Sequence, residues 1–272
     1  VTEIGGRAFA ECSSLAEVTL SKNLTNMAAA FFDCDALTDI RIPKSLENGL
    51  SAFERCDNLH NITFEQGITK IPYGLFWGCP GIERITIPDT ITDIGVAAFS
   101  RCENLQSITI PDSVITIGSS AFSYCISLAS VTLSKNLEEL GSGAFEECKA
   151  LTEIEIPKSL KTPKNWKDTS GSFSGCRRLK RITFEKGTTQ IIPNMFAGCP
   201  GIEQITIPDT VTEIGYQAFA ECSNLSTVHL SENLTTVGAR AFYNCDALKK
   251  IEIPKNLEVV GSLGGTNTFG SG

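Results

Sequence analysis

In the stretch CPGIERITIPDTITDIGVAAF (79–99), apolar residues fall at Ile82, Ile85 and Ile87, then at Ile91 and Ile94, then at Ala97, Ala98 and Phe99. The spacing of the first three alternates apolar with polar, which predicts a short strand with one face buried and Arg84 and Thr86 turned outward. Pro88 cannot donate to a sheet ladder and closes the strand, Asp89-Thr90 supplies turn chemistry, and Gly95 allows a tight bend. The Ala-Ala-Phe run predicts a compact turn, helical or irregular, that leads back through Cys102 to the next strand.

The same pattern returns along the whole chain. A Phe-x-x-Cys step places cysteines at 12, 34, 56, 79, 102, 125, 148, 176, 199, 222 and 245, every 22 or 23 residues with one gap of 28. A fixed short period marks a repeat architecture, so the 272 residues read as one array, 1–272, of about eleven coils, with an insertion at 160–172. One coil buries too little apolar surface to stand alone, and stacking must supply the rest. One strand per coil, always running the same way, predicts a parallel sheet.

A longer order is present too. VTLSKNL at 18–24 returns at 131–137 and as VHLSENL at 228–234, IRIPKSL returns as IEIPKSL and IEIPKNL, and CPGIERITIPDT returns as CPGIEQITIPDT. The unit is four coils, with one extra coil around Cys102 in its first copy. Eight residues after each strand's first Leu or Ile comes a small polar or glycine position, among them Ser45, Thr90, Asn136 and Asn233. Such side chains, just inside the turn, predict hydrogen bonds to backbone groups that the bend would strand.

L-x-x-L-x-L-x-x-N, present outright in Leu15 to Asn23, Leu128 to Asn136 and Leu225 to Asn233, is the leucine-rich-repeat signature. Together with I-x-I-P, an isoleucine-glycine turn, A-F-x-x-C and a following L-x-x-I, whole in Ile87 to Ile108 and in Ile207 to Val228, it makes the chain resemble the BspA-like, or Treponema-type, leucine-rich repeats. The resemblance implies an α/β repeat solenoid: a right-handed curved array with a parallel β-sheet on the concave face and short helical or irregular turns on the convex face. It also implies a cell-surface or extracellular setting and adhesion to proteins or other cells, and it implies no catalytic residues. Asn26-Met27 and Pro72-Tyr73 depart from the family's turn glycine, and the coil before Cys176 is longer.

Charge narrows the partners. A net charge of −8 argues against a general nucleic-acid binder, and no apolar run reaches the roughly 20 residues that insert into a bilayer. The eleven cysteines, one per coil, read as buried free thiols filling a small apolar slot, which in an exported protein fits an anaerobic setting. They lack the paired spacing of zinc sites. Val1 begins mid-coil without a leader and Asn267-Thr268-Phe269 stops short of a cysteine, which reads as a fragment or as ends that pair with other chains.

Candidate binding residues are outward strand positions that break the prevailing threonine: Arg41, Arg84, Glu155, Arg181, His229 and Glu252. Arginine or histidine on an exposed sheet adds little to its stability, so partner contact is the better use. A second candidate is the basic insertion, where Lys161, Lys164, Trp166 and Lys167 set an aromatic among cations, suited to a sugar, an anionic glycan or an acidic protein patch. From Lys158 to Lys186 the local charge is +7, against −15 for the remainder. His60 and His229, the only histidines, sit seven coils apart, and no nucleophile elbow, phosphate loop or metal motif occurs, so no enzyme and no cofactor is expected. The expectation is a non-enzymatic module that binds protein or glycan. The alternatives are a passive spacer holding another domain away from the cell, or an intracellular scaffold.

Overall fold

The computed structural model describes residues 1–163 and 170–261. The chain is a solenoid of stacked coils, and among the described residues the predicted strands are present and parallel in eight of the coils, while the coils beginning at Leu15, Ile82 and Leu248 form none, Arg84 making only a single bridge to Ser107. Asp39–Ile42 pairs with Asn61–Phe64, Ser107–Thr109 with Ser130–Thr132, Glu153–Ile156 with Arg181–Phe184, and Gln204–Thr206 with Thr227–His229. Each of these strands turns every second residue inward, buried in Glu153–Ile156 and half-buried in Asn61–Phe64 and Arg181–Phe184. The strand ladder is not continuous: it runs in doublets, extended once by a bridge from Arg84 to Ser107. The breaks fall where the repeat blocks change, from SKNL to IPKSL coils and from E-x-G to CPG coils.

One strand per coil is an undercount. A second parallel ladder of two-residue strands runs Lys70–Ile71, Asp93–Ile94, Thr116–Ile117, Glu139–Leu140, and again Gln190–Ile191, Glu213–Ile214, Thr236–Val237, Val259–Val260. It spans junctions at which the first ladder is broken. The glycine that follows Asp93–Ile94, Thr116–Ile117, Glu213–Ile214 and Thr236–Val237 serves close approach, not a bend. At Gly95, Gly118, Gly215 and Gly238 a Cβ would lie within 2.5 to 2.7 Å of backbone in the preceding coil, while none of the four has a positive φ.

The third side contains no helix among the described residues, which corrects the helical option for the turns. Two residues per turn, two before and two after the Phe, adopt left-handed backbone in every coil but that of Phe173, as in Ala97 (φ 53) and Arg101 (φ 61), and this excludes a run of helical dihedrals. The left-handed pair turns alternate N–H groups outward along the stack. Ala97, Phe99 and Arg101 donate to the carbonyls of Ser119, Ala121 and Ser123 in the next coil at 2.8 to 2.9 Å, while Ala98, Ser100 and Cys102 donate three residues back within their own coil. The turn is thus a third ladder.

Inside these sides runs a stack of phenylalanine rings, Phe9 to Phe242, one per coil, with centroids 5.2 to 6.0 Å apart, and it stays in step past the insertion at Phe145 and Phe173. Ten cysteines are buried beside it and all eleven are free, Cys12 alone being exposed. The slot is not purely apolar: each buried thiol donates to the carbonyl of the preceding coil's Phe at 2.7 to 3.3 Å, as Cys79 does to Phe53 and Cys222 to Phe196. Cysteine is small enough for the slot and still supplies a donor there. The polar turn position bonds as expected, Ser45 Oγ donating to Lys22 and Leu24 carbonyls and Asn136 Nδ2 to that of Asp112. Asn136 and Asn233 are nonetheless exposed, so this register lies on the surface.

Candidate functional site

All six outward candidates are exposed, and the parallel register fixes their neighbours. Arg41 stands beside Thr63, Glu155 beside Thr183, Arg181 beside Glu153, and His229 beside Thr206. They form separate groups along the face. In one, Arg181 Nη1 donates to Glu153 Oε2 at 3.2 Å next to Glu155. In another, Lys250 Nζ donates to Glu252 at 2.9 Å and, with a smaller pull from His229 in the adjacent coil, holds that carboxyl below its usual range. Near the opposite end, Asp39 is engaged by Thr38 and Asn61, which hold its carboxyl low. Among the described residues Arg41 and Arg84 have no ion-pair partner.

Around Arg84 the face opens. No strand pairing links Asn61–Phe64 to residues 84–87, and a cleft of about 490 Å³ lies at this break, lined by His60, Asn61, Arg84, Thr86, Ser107 and Thr109 over a floor of Ile62, Ile85, Ile87 and Pro111. Ile62 and Ile85 are only half-buried here, whereas Ile40 and Ile108 at the same strand position are buried. The core records the same wedge. Phe53 and Phe76 stand 6.0 Å apart, against 5.3 Å for Phe76 and Phe99 and 5.2 Å for Phe99 and Phe122. The coil is clamped at Gly81, where a Cβ would come within 2.7 Å of Asp57 and Leu59 backbone, and again at the short ladder through Ile71 and Ile94. Strand-period reasoning misses this cleft. The E-x-G turn followed by Cys-Pro-Gly marks the break in the ladder but not the cleft, since the same sequence recurs at 185–187 and 199–201.

The basic stretch folds into a different picture from its local charge. Lys158 pairs with Glu185 at 2.9 Å, Lys161 with Glu138 at 2.6 Å, Lys180 with Glu203 at 2.8 Å and Arg181 with Glu153 at 3.2 Å, each acid coming from an adjacent coil. The cations are therefore distributed over several sides and partly neutralised. Lys164, Trp166 and Lys167 lie outside the described residues, as do Asn267, Thr268 and Phe269.

The thiols offer little chemistry. Burial pushes Cys56 and Cys102 up to about 12 and Cys79, Cys125, Cys148 and Cys199 well above the ordinary thiol value. A protonated thiol bonded to a carbonyl is a poor nucleophile and a poor metal ligand. Among the described residues no three His, Cys, Asp or Glu side chains converge as metal ligands, and no helix is long and apolar enough to cross a membrane.

A family profile described as BspA type leucine rich repeat region, in six copies, matches residues 1–106, 94–166 and 169–267. The chain belongs to this family. Among solved structures, a leucine-rich repeat protein from Bacteroides ovatus is 26% identical, with 87% of this chain and 78% of that one covered and a TM-score of 0.58. One from Eubacterium ventriosum is 24% identical over 99% of this chain and 76% of that one, also at 0.58, a likeness of fold. A leucine rich cell surface protein from Faecalibacterium prausnitzii is 25% identical over 96% and 73% of the two chains, with a TM-score of 0.47. No curated protein sequence matches. The BspA-type repeat thus accounts for the parallel coils, the ring stack and the one-thiol period, all of which are scaffold.

Proposed function

We propose that this BspA-type array is a non-enzymatic binding module at the outside of a cell, engaging proteins or glycans through the outward ranks of its strand ladder. The observation that carries the reading is the open cleft around the unpaired Arg84, on a face where Arg181, Lys180 and Glu252 are engaged by their own neighbours. An exposed cation beside half-buried isoleucines does little for the fold and is available to a partner. Affinity is spread over Arg41, Arg84, Glu155, Arg181, His229 and Glu252, with the basic insertion, Lys161, Lys164, Trp166 and Lys167, as a second contact. The cell-surface setting follows from the family resemblance and belongs to the proposal.

The spacer reading has support in the unbroken ring stack, which makes the array one continuous rod whatever its face does. A binding screen against extracellular-matrix proteins and glycans separates the two. Capture of a defined partner, reduced at least tenfold when the six face residues are replaced by Ala and several-fold when the four insertion residues are, supports the binding module. Capture of nothing, or capture indifferent to both variants in a folded protein, overturns it in favour of the spacer.

A further inference from the structure

We propose that the cleft at the break between Asn61–Phe64 and the Arg84 coil is a subsite for a carboxylated sugar, a hexuronate or sialate type of pyranose at the exposed end or edge of a glycan. The assignment rests on the binding-module reading and names the ligand chemistry of its central site.

Four features of the cleft select this class. Its volume of about 490 Å³ is of the size that holds a small ligand, about 300–1,000 Å³. Its one charged lining residue is Arg84, no carboxylate lines it, and Arg84 has no ion-pair partner among the described residues, so the charge left for a ligand is positive. A guanidinium presents a planar fork that matches a carboxylate in two parallel hydrogen bonds. Thr86, Ser107 and Thr109 add hydroxyls that both donate and accept, and Asn61, whose Nδ2 is committed to Asp39, retains its carbonyl as an acceptor. This is a set suited to ring hydroxyls, which likewise both donate and accept. The floor of Ile62, Ile85, Ile87 and Pro111 gives the C–H face of a pyranose something apolar to cover.

An acidic peptide strand is the competing occupant, because the break leaves strand edges without a ladder partner. The short ladder argues against it. Lys70 and Ile71 pair directly with Asp93 and Ile94 in these same two coils, which holds them at the spacing of adjacent strands, about 4.8 Å, on the neighbouring side. A third strand does not fit between coils so clamped, whereas a compact ring can sit in the opening.

Titration of the whole chain with methyl glucuronide, N-acetylneuraminic acid, methyl glucoside and triglutamate, read by NMR shifts of the Ile62, Ile85 and Ile87 methyls, tests the assignment. The acidic sugars are expected to shift these methyls saturably, with methyl glucoside at least tenfold weaker. Arg84→Gln is expected to lower the acidic-sugar affinity at least tenfold. That variant keeps the fold, since Gln204 occupies the matching position of the second CPG coil. Triglutamate binding as tightly as the sugars would make the cleft a peptide-acid site and overturn the assignment. So would an Arg84→Gln protein that binds the sugars unchanged, or acidic sugars that shift nothing. If the sugars shift nothing while the screen still captures a partner, the sugar assignment falls and the binding module stands; if neither occurs, both fall.

Discussion

The coils opening with CPGIERITIPDT at 79–90 and CPGIEQITIPDT at 199–210 differ at one residue in twelve, yet Ile85 of the first is half-buried beside a cleft of about 490 Å³, whereas the matching Ile205 of the second is buried. Both follow an E-x-G coil, both break the strand ladder, and both tilt their ring, Phe76 by 19° and Phe196 by 17° from the preceding Phe. The difference lies largely in what the neighbouring coils present. Across the second junction Lys180 donates to Glu203 at 2.8 Å, and Ile205 is 3% exposed. Across the first, the corresponding positions are His60, whose ring nitrogen is 2.6 Å from its own chain's Asn58 carbonyl, and Glu83, and Ile85 is half-buried. The scaffold was copied whole, and the function of a copy is set by side chains on either side of the break.

The largest expected effect tests the shared part of that comparison. In the folded chain burial holds Cys56, Cys102, Cys176 and Cys245 up to about 12, while an unfolded thiol ionises near its ordinary 9.0. Between those limits the unfolded chain binds fewer protons than the folded one. Stability is therefore full below about pH 9 and falls as pH rises toward 12, by about 1.4 kcal/mol per unit for each such thiol. The nine thiols held at about 12 or well above the ordinary value, acting together, exceed the 5–15 kcal/mol of an ordinary domain within about two units, so far-UV circular dichroism should show cooperative unfolding near pH 10. Cys79→Ala and Cys199→Ala should move that midpoint upward equally. An array intact at pH 12 would mean that the thiols are not held protonated, and a smaller shift for Cys79→Ala would mean that the cleft-side coil is already loosened in the native state.

The next effect tests the part that differs. If rim residues decide openness, Gln204→Arg alone should not create a second sugar site, because Lys180 still spans the junction. Gln204→Arg combined with Lys180→His should create one, raising the stoichiometry for methyl glucuronide from one to two by calorimetry. Lys180 and Glu203 are both exposed, so the loss of their pair costs the fold little and the change reads on binding. A stoichiometry of two from Gln204→Arg alone would show that the arginine suffices and that the ion pair closes nothing.

How much of this was legible before the fold was known varies with the range of the interaction. The strands such as Asp39–Ile42 and Glu153–Ile156 and their parallel repetition follow from the alternation of apolar positions and the fixed period, although at Ile82 to Ile87 the same alternation yields only a bridge from Arg84 to Ser107. The short ladder does not, because two residues such as Thr116–Ile117 are fewer than any periodicity resolves. The turns invited a helical reading because Ala97, Arg101 and Tyr124 are not residues that favour left-handed backbone; bonds to the next coil, 22 residues on, hold them there. Gly95 was legible as special, but for the wrong reason, since the constraint is the preceding coil's backbone at Ile71 and Pro72. The cleft was hidden because Ile62 and Ile40 have the same local pattern and differ only in what stacks on them.

The smallest expected effect concerns the basic stretch, where the same lesson appears as charge. A sum over Lys158 to Lys186 counts neighbours in sequence, whereas the solenoid's neighbours are 22 to 28 residues away, and there Lys161 meets Glu138 at 2.6 Å. An exposed pair of this kind holds the lysine at the surface of its own array and contributes little, so Lys161→Ala should change stability by less than about 0.5 kcal/mol in chemical denaturation. Heparin retention should therefore fall by less than twofold in Lys161→Ala and more in Arg177→Ala with Arg178→Ala, two exposed arginines for which no carboxylate partner occurs among the described residues. Equal losses from the two variants would mean that anion binding follows the summed charge of the stretch and not the pairing that the stacked coils impose.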